Sequence, residues 1–180
     1  MMFQDYKVVI TVATSGIGLA AARLFIREGA TVIGIGRSFD KTGELGEQFI
    51  PCKCDVRDPA QIEGACAFVD KTFGGELDTF VNNAGFGEHT TVKEVTAEQF
   101  DRCFSLLLRA PMLFGKGMYP LLLKAPQGNA SIVNTASAAS RTVAPDNPLY
   151  NLAKNAVVLY TKQQAAGFIG VRCKSVSPGF

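Results

Sequence analysis

Six short runs rich in β-branched residues alternate along this chain with stretches whose apolar residues repeat at helical spacing. That alternation restricts the fold more than any other feature. Lys7 to Thr11 reads as a strand, and Ile17, Ala20, Ala21, Leu24 and Phe25 then recur helically as far as Gly29, a natural helix stop. Thr31 to Gly36 is a second strand, followed by a short helix near Asp40 to Gln48 and a third strand from Phe49 to Cys54. Asp58 before Pro59 caps a helix that runs through Ile62, Ala65, Cys66, Val69 and Phe73 to Gly74-Gly75. Leu77 to Asn82 is the fourth strand. Thr96 with Gln99 forms a capping box that opens a long helix reaching about Lys124. Ala130 to Ser137, a helix from Leu149 to about Ala166, and Val171 to Ser177 complete the series. Strands joined by helix-length crossovers run parallel, so the chain predicts an α/β fold with helices on both faces of one sheet.

The chain has 180 residues, 47% of them apolar, enough for one domain with its own core. Eighteen basic and sixteen acidic residues leave a net charge of +2, which gives no electrostatic reason to expect nucleic acid or an anionic membrane as partner. No apolar run reaches the roughly 18–20 residues of a membrane span. The five cysteines are odd in number and scattered. Cys52 and Cys54 share one face of a strand, but no second pair or nearby histidine completes a zinc site. They read as small buried side chains in a reducing, cytoplasmic setting.

Three places carry chemistry. The first crossover, Thr11 to Gly18, puts Thr14, Ser15, Gly16, Ile17 and Gly18 between a strand and a helix N-terminus. Backbone N–H groups and the positive end of a helix dipole meet a phosphate there. Next, the second strand ends in Gly36-Arg37-Ser38, with no carboxylate for a ribose 2′-hydroxyl. Arg37 offers a 2′-phosphate a charge-assisted bond instead, which favours NADP(H) over NAD(H). Finally, Tyr150 and Lys154 lie four apart on one helix face, where a nearby ammonium favours the phenolate and makes the phenol a usable general acid or base. Ser137 ends the fifth strand, thirteen residues earlier, within reach of the same substrate oxygen.

Taken together these motifs resemble the short-chain dehydrogenase/reductase family, over essentially the whole chain and in family order. Thr11, Gly16 and Gly18 match its T-G-x-x-x-G-x-G turn, and Asn82-Asn83-Ala84-Gly85 matches its N-N-A-G loop. Ser137, Tyr150 and Lys154 match its catalytic serine, tyrosine and lysine, and Pro178-Gly179 its segment beside the nicotinamide. The resemblance implies a Rossmann-type doubly wound sheet of about six strands in order 3-2-1-4-5-6. It also implies that Asp55 and Val56 lie against adenine, and that Asn83, Ala84 and Gly85 border the cofactor. Lys154 would hold the nicotinamide ribose, while Tyr150 exchanges a proton with an alcohol or carbonyl substrate. A homodimer or homotetramer through the 96–124 and 149–166 helices is implied as well.

Two departures stand out. Val12 occupies the place of the first family glycine, where a β-branched side chain adds bulk and resists positive φ. Either binding is weakened or the turn adjusts. Leu107 occupies the place of the family's helix asparagine. Pro111, four residues on, has no N–H for the Leu107 carbonyl, so the helix is expected to kink and to keep a weakened water site there. The chain closes at Phe180, just after Pro178-Gly179, where family members normally continue with a helical lid, a further helix and a seventh strand. The expectation is therefore one domain over 1–180 without that lid, either a fragment or a shortened form. A nucleotide- or partner-binding pseudoenzyme and an inactive truncated form are the competing readings. His89 is expected to be an exposed loop residue, Phe86 and Tyr119 to be packing, and Lys162, Gln163 and Gln164 to form a solvated helix face.

Overall fold

The computed structural model describes residues 1–40, 42–87, 89–126 and 128–179. Its strands are β1 (Lys7–Thr11), β2 (Thr31–Gly36), β3 (Phe49–Lys53), β4 (Thr79–Asn82), β5 (Ser131–Thr135) and β6 (Arg172–Val176). They form one sheet in the order β3-β2-β1-β4-β5-β6, every neighbouring pair parallel. This is the doubly wound order expected from the sequence. The helices are α1 (Gly16–Arg27), α2 (Pro59–Phe73), α3 (Ala97–Phe104), α4 (Ala110–Leu122) and α5 (Pro148–Gly167).

Alternation along β1 divides the core. Val8 and Ile10 face α1 with Leu19, Ala22, Val32 and Val81, whereas Val9 packs with Ile33, Phe80 and Phe114 under α2, α4 and α5. The period-2 side-chain rule gives one short strand two buried faces, which is why KVVIT carries no polar residue between its ends.

The helix ends follow local chemistry. The Asp58 carboxylate accepts from the N–H groups of Ala60 (2.9 Å) and Gln61 (3.4 Å), with Pro59 in the first turn, and Gly74 closes α2 in a left-handed conformation. Thr96 and Gln99 cap each other's backbone at 3.0 and 3.2 Å. Two expectations are corrected, the helix near 40–48 and the solvated Gln164, and the long helix takes a particular form at Leu107. The helix near 40–48 is only a 3-10 turn at Gly43–Leu45, because Gly43 and Gly46 flank too few residues to continue it. At Leu107 the long helix widens into a π-turn, Ser105–Arg109, with Ala110 N–H donating to the Ser105 carbonyl. The wider turn accommodates Pro111 where a regular one would drive its ring against the Leu107 carbonyl. And Gln164 is not on a solvated face. It is buried at 2%, while Lys162 and Gln163 are exposed.

Candidate active site

The glycine-rich turn is held from two sides. Val12 does take a left-handed backbone, φ +53°, and its N–H donates to the Ile35 carbonyl at 2.6 Å. The valine thus takes the left-handed conformation itself, which costs a β-branched residue about 1–3 kcal/mol. From the β4 end, the backbone N–H groups of Asn83 and Ala84 donate to Thr11 Oγ1 at 2.9 and 3.0 Å. Asn83 Nδ2 reaches the carbonyls of Thr11 and Val12 at 3.2 and 3.4 Å. Thr11 and Asn83 therefore join the two loops that border the cleft. Gly18 has no alternative, since a Cβ there would lie 2.2 Å from the Val12 carbonyl oxygen and 2.6 Å from Asn83 Nδ2. Gly16, at φ +51°, is bare on its outer side. Ser15 sits at the α1 N-cap without spending its hydroxyl on the helix.

Beside this turn lies a cleft of about 440 Å³, lined by Val12, Thr14, Ser15, Arg37, Asp55 and Val56 together with Cys54, Arg57, Gly85 and Phe86. Its size suits a small-molecule or cofactor site, and it opens at the carboxyl ends of β1, β2 and β3, where ligands of such sheets bind. Arg37 is exposed at its rim, and no described residue forms an ion pair with it. Asp55 is engaged within its own loop. Arg57 grips its two oxygens at 3.0 and 2.6 Å and, with Arg37 adding a smaller pull, holds the carboxyl at about 2. Burial pushes the Cys54 thiol up to about 12, so at neutral pH it is an inert wall.

Several assignments shift here. Phe86 lines the cleft and is 41% exposed, so it is not core packing. Tyr119 is packing, stacked on Phe168 at 4.3 Å. His89 is exposed, and among the described residues no group of histidine, cysteine, aspartate and glutamate is arranged to hold a metal. No residue of the Asn82–Gly85 loop has positive φ. Gly85 sits in a tight place, since a Cβ there would come 3.3 Å from both Leu107 Cδ2 and Lys154 Nζ. Arg57 and Phe86 gave no sequence signal, because their place at the cleft depends on how two loops converge.

Ser137, Tyr150 and Lys154 stand next to this cleft rather than on its wall. Ser137 follows β5 and starts a 3-10 turn, Ala138–Arg141, its Oγ accepting from Ala139 N–H at 3.1 Å. Pro178 lies alongside, its carbonyl accepting from Ala138 N–H at 2.9 Å. The first turns of α5 are fastened to the same segment by Asn155 to the Ser140 carbonyl (2.9 Å) and Asn151 to the Thr142 carbonyl (3.0 Å). Lys154, 3% exposed, donates to the Thr135 carbonyl at 2.6 Å, and its Nζ lies 5.7 Å from the Tyr150 ring centre. Burial pulls its ammonium down to about 8, with the neighbouring Cys103 acting the other way. Leu107 is buried at 1% beside it. Gly179 and Ile17 lie off the cleft wall, and Ile17 is 55% exposed.

A parallel sheet in this order, with a glycine-bearing turn between β1 and α1 at its carboxyl edge, defines the class of Rossmann-type α/β proteins. The chain belongs to the short chain dehydrogenase family, whose model matches residues 6–180, and is an oxidoreductase of the CH–OH/C=O type. It is 32% identical to galactitol 2-dehydrogenase of Agrobacterium fabrum over 99% of this chain and 72% of that protein. It is 35% identical to dehydrogenase/reductase SDR family member 6 of Rattus norvegicus, over 96% of this chain and 69% of that protein. Among solved structures, 3-ketoacyl-(acyl-carrier-protein) reductase from Brucella melitensis, complexed with NADH, superposes with a TM-score of 0.91 at 27% identity. That match covers 98% of this chain and 76% of the other. Among the described residues no helix is long and apolar enough to cross a membrane.

Proposed function

We propose that the protein interconverts an alcohol and a carbonyl with NADP(H), using Tyr150 as the proton donor or acceptor. What supports this most is the position of Lys154, buried with its Nζ 5.7 Å from the Tyr150 ring centre and close beside Gly85. The bare Gly16, the crowded Gly18 and the unspent Ser15 hydroxyl fit a pyrophosphate at the α1 N-terminus. Thr14 and Arg37 fit the adenosine side, and Val56 an adenine face. Asn83, Ala84, Pro178 and Gly179 border the nicotinamide side in this reading. When bound, the cofactor supplies or accepts the hydride. Ser137 orients the substrate oxygen, Tyr150 moves the proton, and Lys154 holds a positive charge beneath both. Exposed apolar residues on α3, α4 and α5, among them Phe100, Met112, Leu152 and Leu159, support pairing into a homodimer or homotetramer. Five free thiols support a reducing, cytoplasmic setting.

Titration with NADPH and NADH, followed by nucleotide fluorescence and then by oxidation across a panel of ketones and quinones, tests the reading. Replacing Arg37 by alanine is expected to weaken NADPH binding roughly tenfold to a hundredfold, the loss of one hydrogen bond to a charged group, and to leave NADH unchanged. Equal loss for both nucleotides would remove the NADP(H) assignment. Val12→Gly relieves the left-handed valine and takes an isopropyl group off the cleft wall, so NADPH should bind several-fold more tightly in the same titration. Unchanged affinity would mean the turn already serves as it stands. Buried Leu107 beside Lys154 favours a second reading, a nucleotide-binding protein without turnover, which binding without oxidation would select.

A further inference from the structure

Off the wall of the cleft, a chain of buried hydrogen bonds ties together β4, β5 and α5, the three elements that carry or lead into its functional residues. Asn82 and Asn134 face each other in register on β4 and β5. Asn82 Nδ2 donates to Asn134 Oδ1 at 2.8 Å, and Asn134 Nδ2 donates in turn to Thr161 Oγ1 (2.8 Å) and Gln164 Oε1 (2.7 Å) on α5. Thr161 Oγ1 passes its own proton to the Val157 carbonyl at 2.7 Å. All four side chains are buried, Asn134 completely. Asn82 immediately precedes Asn83, Asn134 lies three residues before Ser137, and Thr161 is two turns beyond Lys154 on the same helix.

Placing four polar side chains in an apolar core is costly unless every bond is made, and nothing in sheet pairing or helix packing needs them. Apolar residues would pack there as well. A buried polar link does fix one register, since sliding or rotating α5 by even part of a turn breaks several bonds together. The link ends at Gln164 Nε2, a buried donor without a partner that abuts α4 at Gly115. A Cβ on Gly115 would sit 2.6 Å from that nitrogen.

We infer that Asn134, Thr161 and Gln164 are positioning residues that fix the rotation and height of α5, so that Tyr150 and Lys154 stand opposite Ser137. The inference rests on the proton-transfer site proposed above. A misplacement of about 1 Å at a reacting group costs on the order of a hundredfold in rate, so loosening the link lowers turnover without touching the cofactor turn.

Thr161→Val keeps the shape and removes the hydroxyl, Thr161→Ser restores it, and Gly115→Ala displaces the Gln164 amide from a different helix. Turnover should fall roughly tenfold to a hundredfold in Thr161→Val and Gly115→Ala, with NADPH affinity unchanged and Thr161→Ser close to the parent. Amide hydrogen exchange should speed up across 148–154 in both impaired variants, and β1 to β3 should stay protected. Exchange in 148–154 equal to the parent would overturn the inference whatever the activity. Loss of NADPH affinity in step with turnover would overturn it too, as the mark of a general structural defect. Absence of turnover in the parent would instead remove the proposed function, and the exchange measurement still decides the positioning role.

Discussion

Replacing Lys154 by methionine is expected to stabilise the protein at pH 7 while abolishing its turnover. The lysine is 3% exposed, and burial holds its ammonium at about 8 instead of 10.5. A base whose folded pKa lies below its unfolded value binds fewer protons when folded between those two values. Its contribution to stability therefore improves as pH rises from 8 to 10.5, and its cost is complete below 8. That cost at pH 7 is about 3 kcal/mol. Methionine removes it and fills most of the same space, but leaves the Thr135 carbonyl without its 2.6 Å donor, a loss of roughly 1–3 kcal/mol. The net gain at pH 7 is thus about 1 kcal/mol, or a few degrees in Tm for a chain of this length. By pH 10.5 the variant should be the less stable protein, because only the lost hydrogen bond remains. Thermal melts of both proteins from pH 6 to 10.5 check the crossing, and a variant less stable throughout would show that the ammonium is not strained. The parent's turnover should decline above about pH 8 as the charge is lost.

The second large effect concerns Tyr150. Tyr150→Phe keeps the ring that stands 5.7 Å from Lys154 Nζ and removes only the hydroxyl. Loss of a general acid lowers rate by roughly 10²–10⁴-fold, so carbonyl reduction should drop by that factor while NADPH affinity stays within about twofold of the parent. Fluorescence titration and steady-state assays on one preparation separate the two quantities. A variant that binds and turns over normally would move the proton-transfer role to another group.

These effects fall on residues that differ in how openly the sequence displays them. The spacing of Tyr150 and Lys154 and the position of Ser137 are local facts, fixed by helix periodicity and by where a strand ends. The same holds for the Asp58 and Thr96 caps and for the parallel run of the strands, which crossovers of helix length impose, whereas their order was implied by the family resemblance. Pro111 signalled an irregularity near Leu107, and the structure gives it the form of a π-turn at Ser105–Arg109.

Tertiary structure decided the rest. The resemblance set Asp55 against adenine, whereas in the fold both its oxygens accept from Arg57. Gln164 carries a polar side chain that by itself belongs in water, and only the facing of β5 against α5 turns it inward. Gly85 gave a backbone signal but sits in a tight place between Leu107 and Lys154. Periodicity, caps and crossover lengths act along the chain, so the sequence by itself determined the strands, the helices between them and the spacing of the serine, tyrosine and lysine. Ion pairing, desolvation and steric room act between segments far apart in number, so the depressed Lys154, the occupied Asp55 and the buried amide link existed only once those segments met.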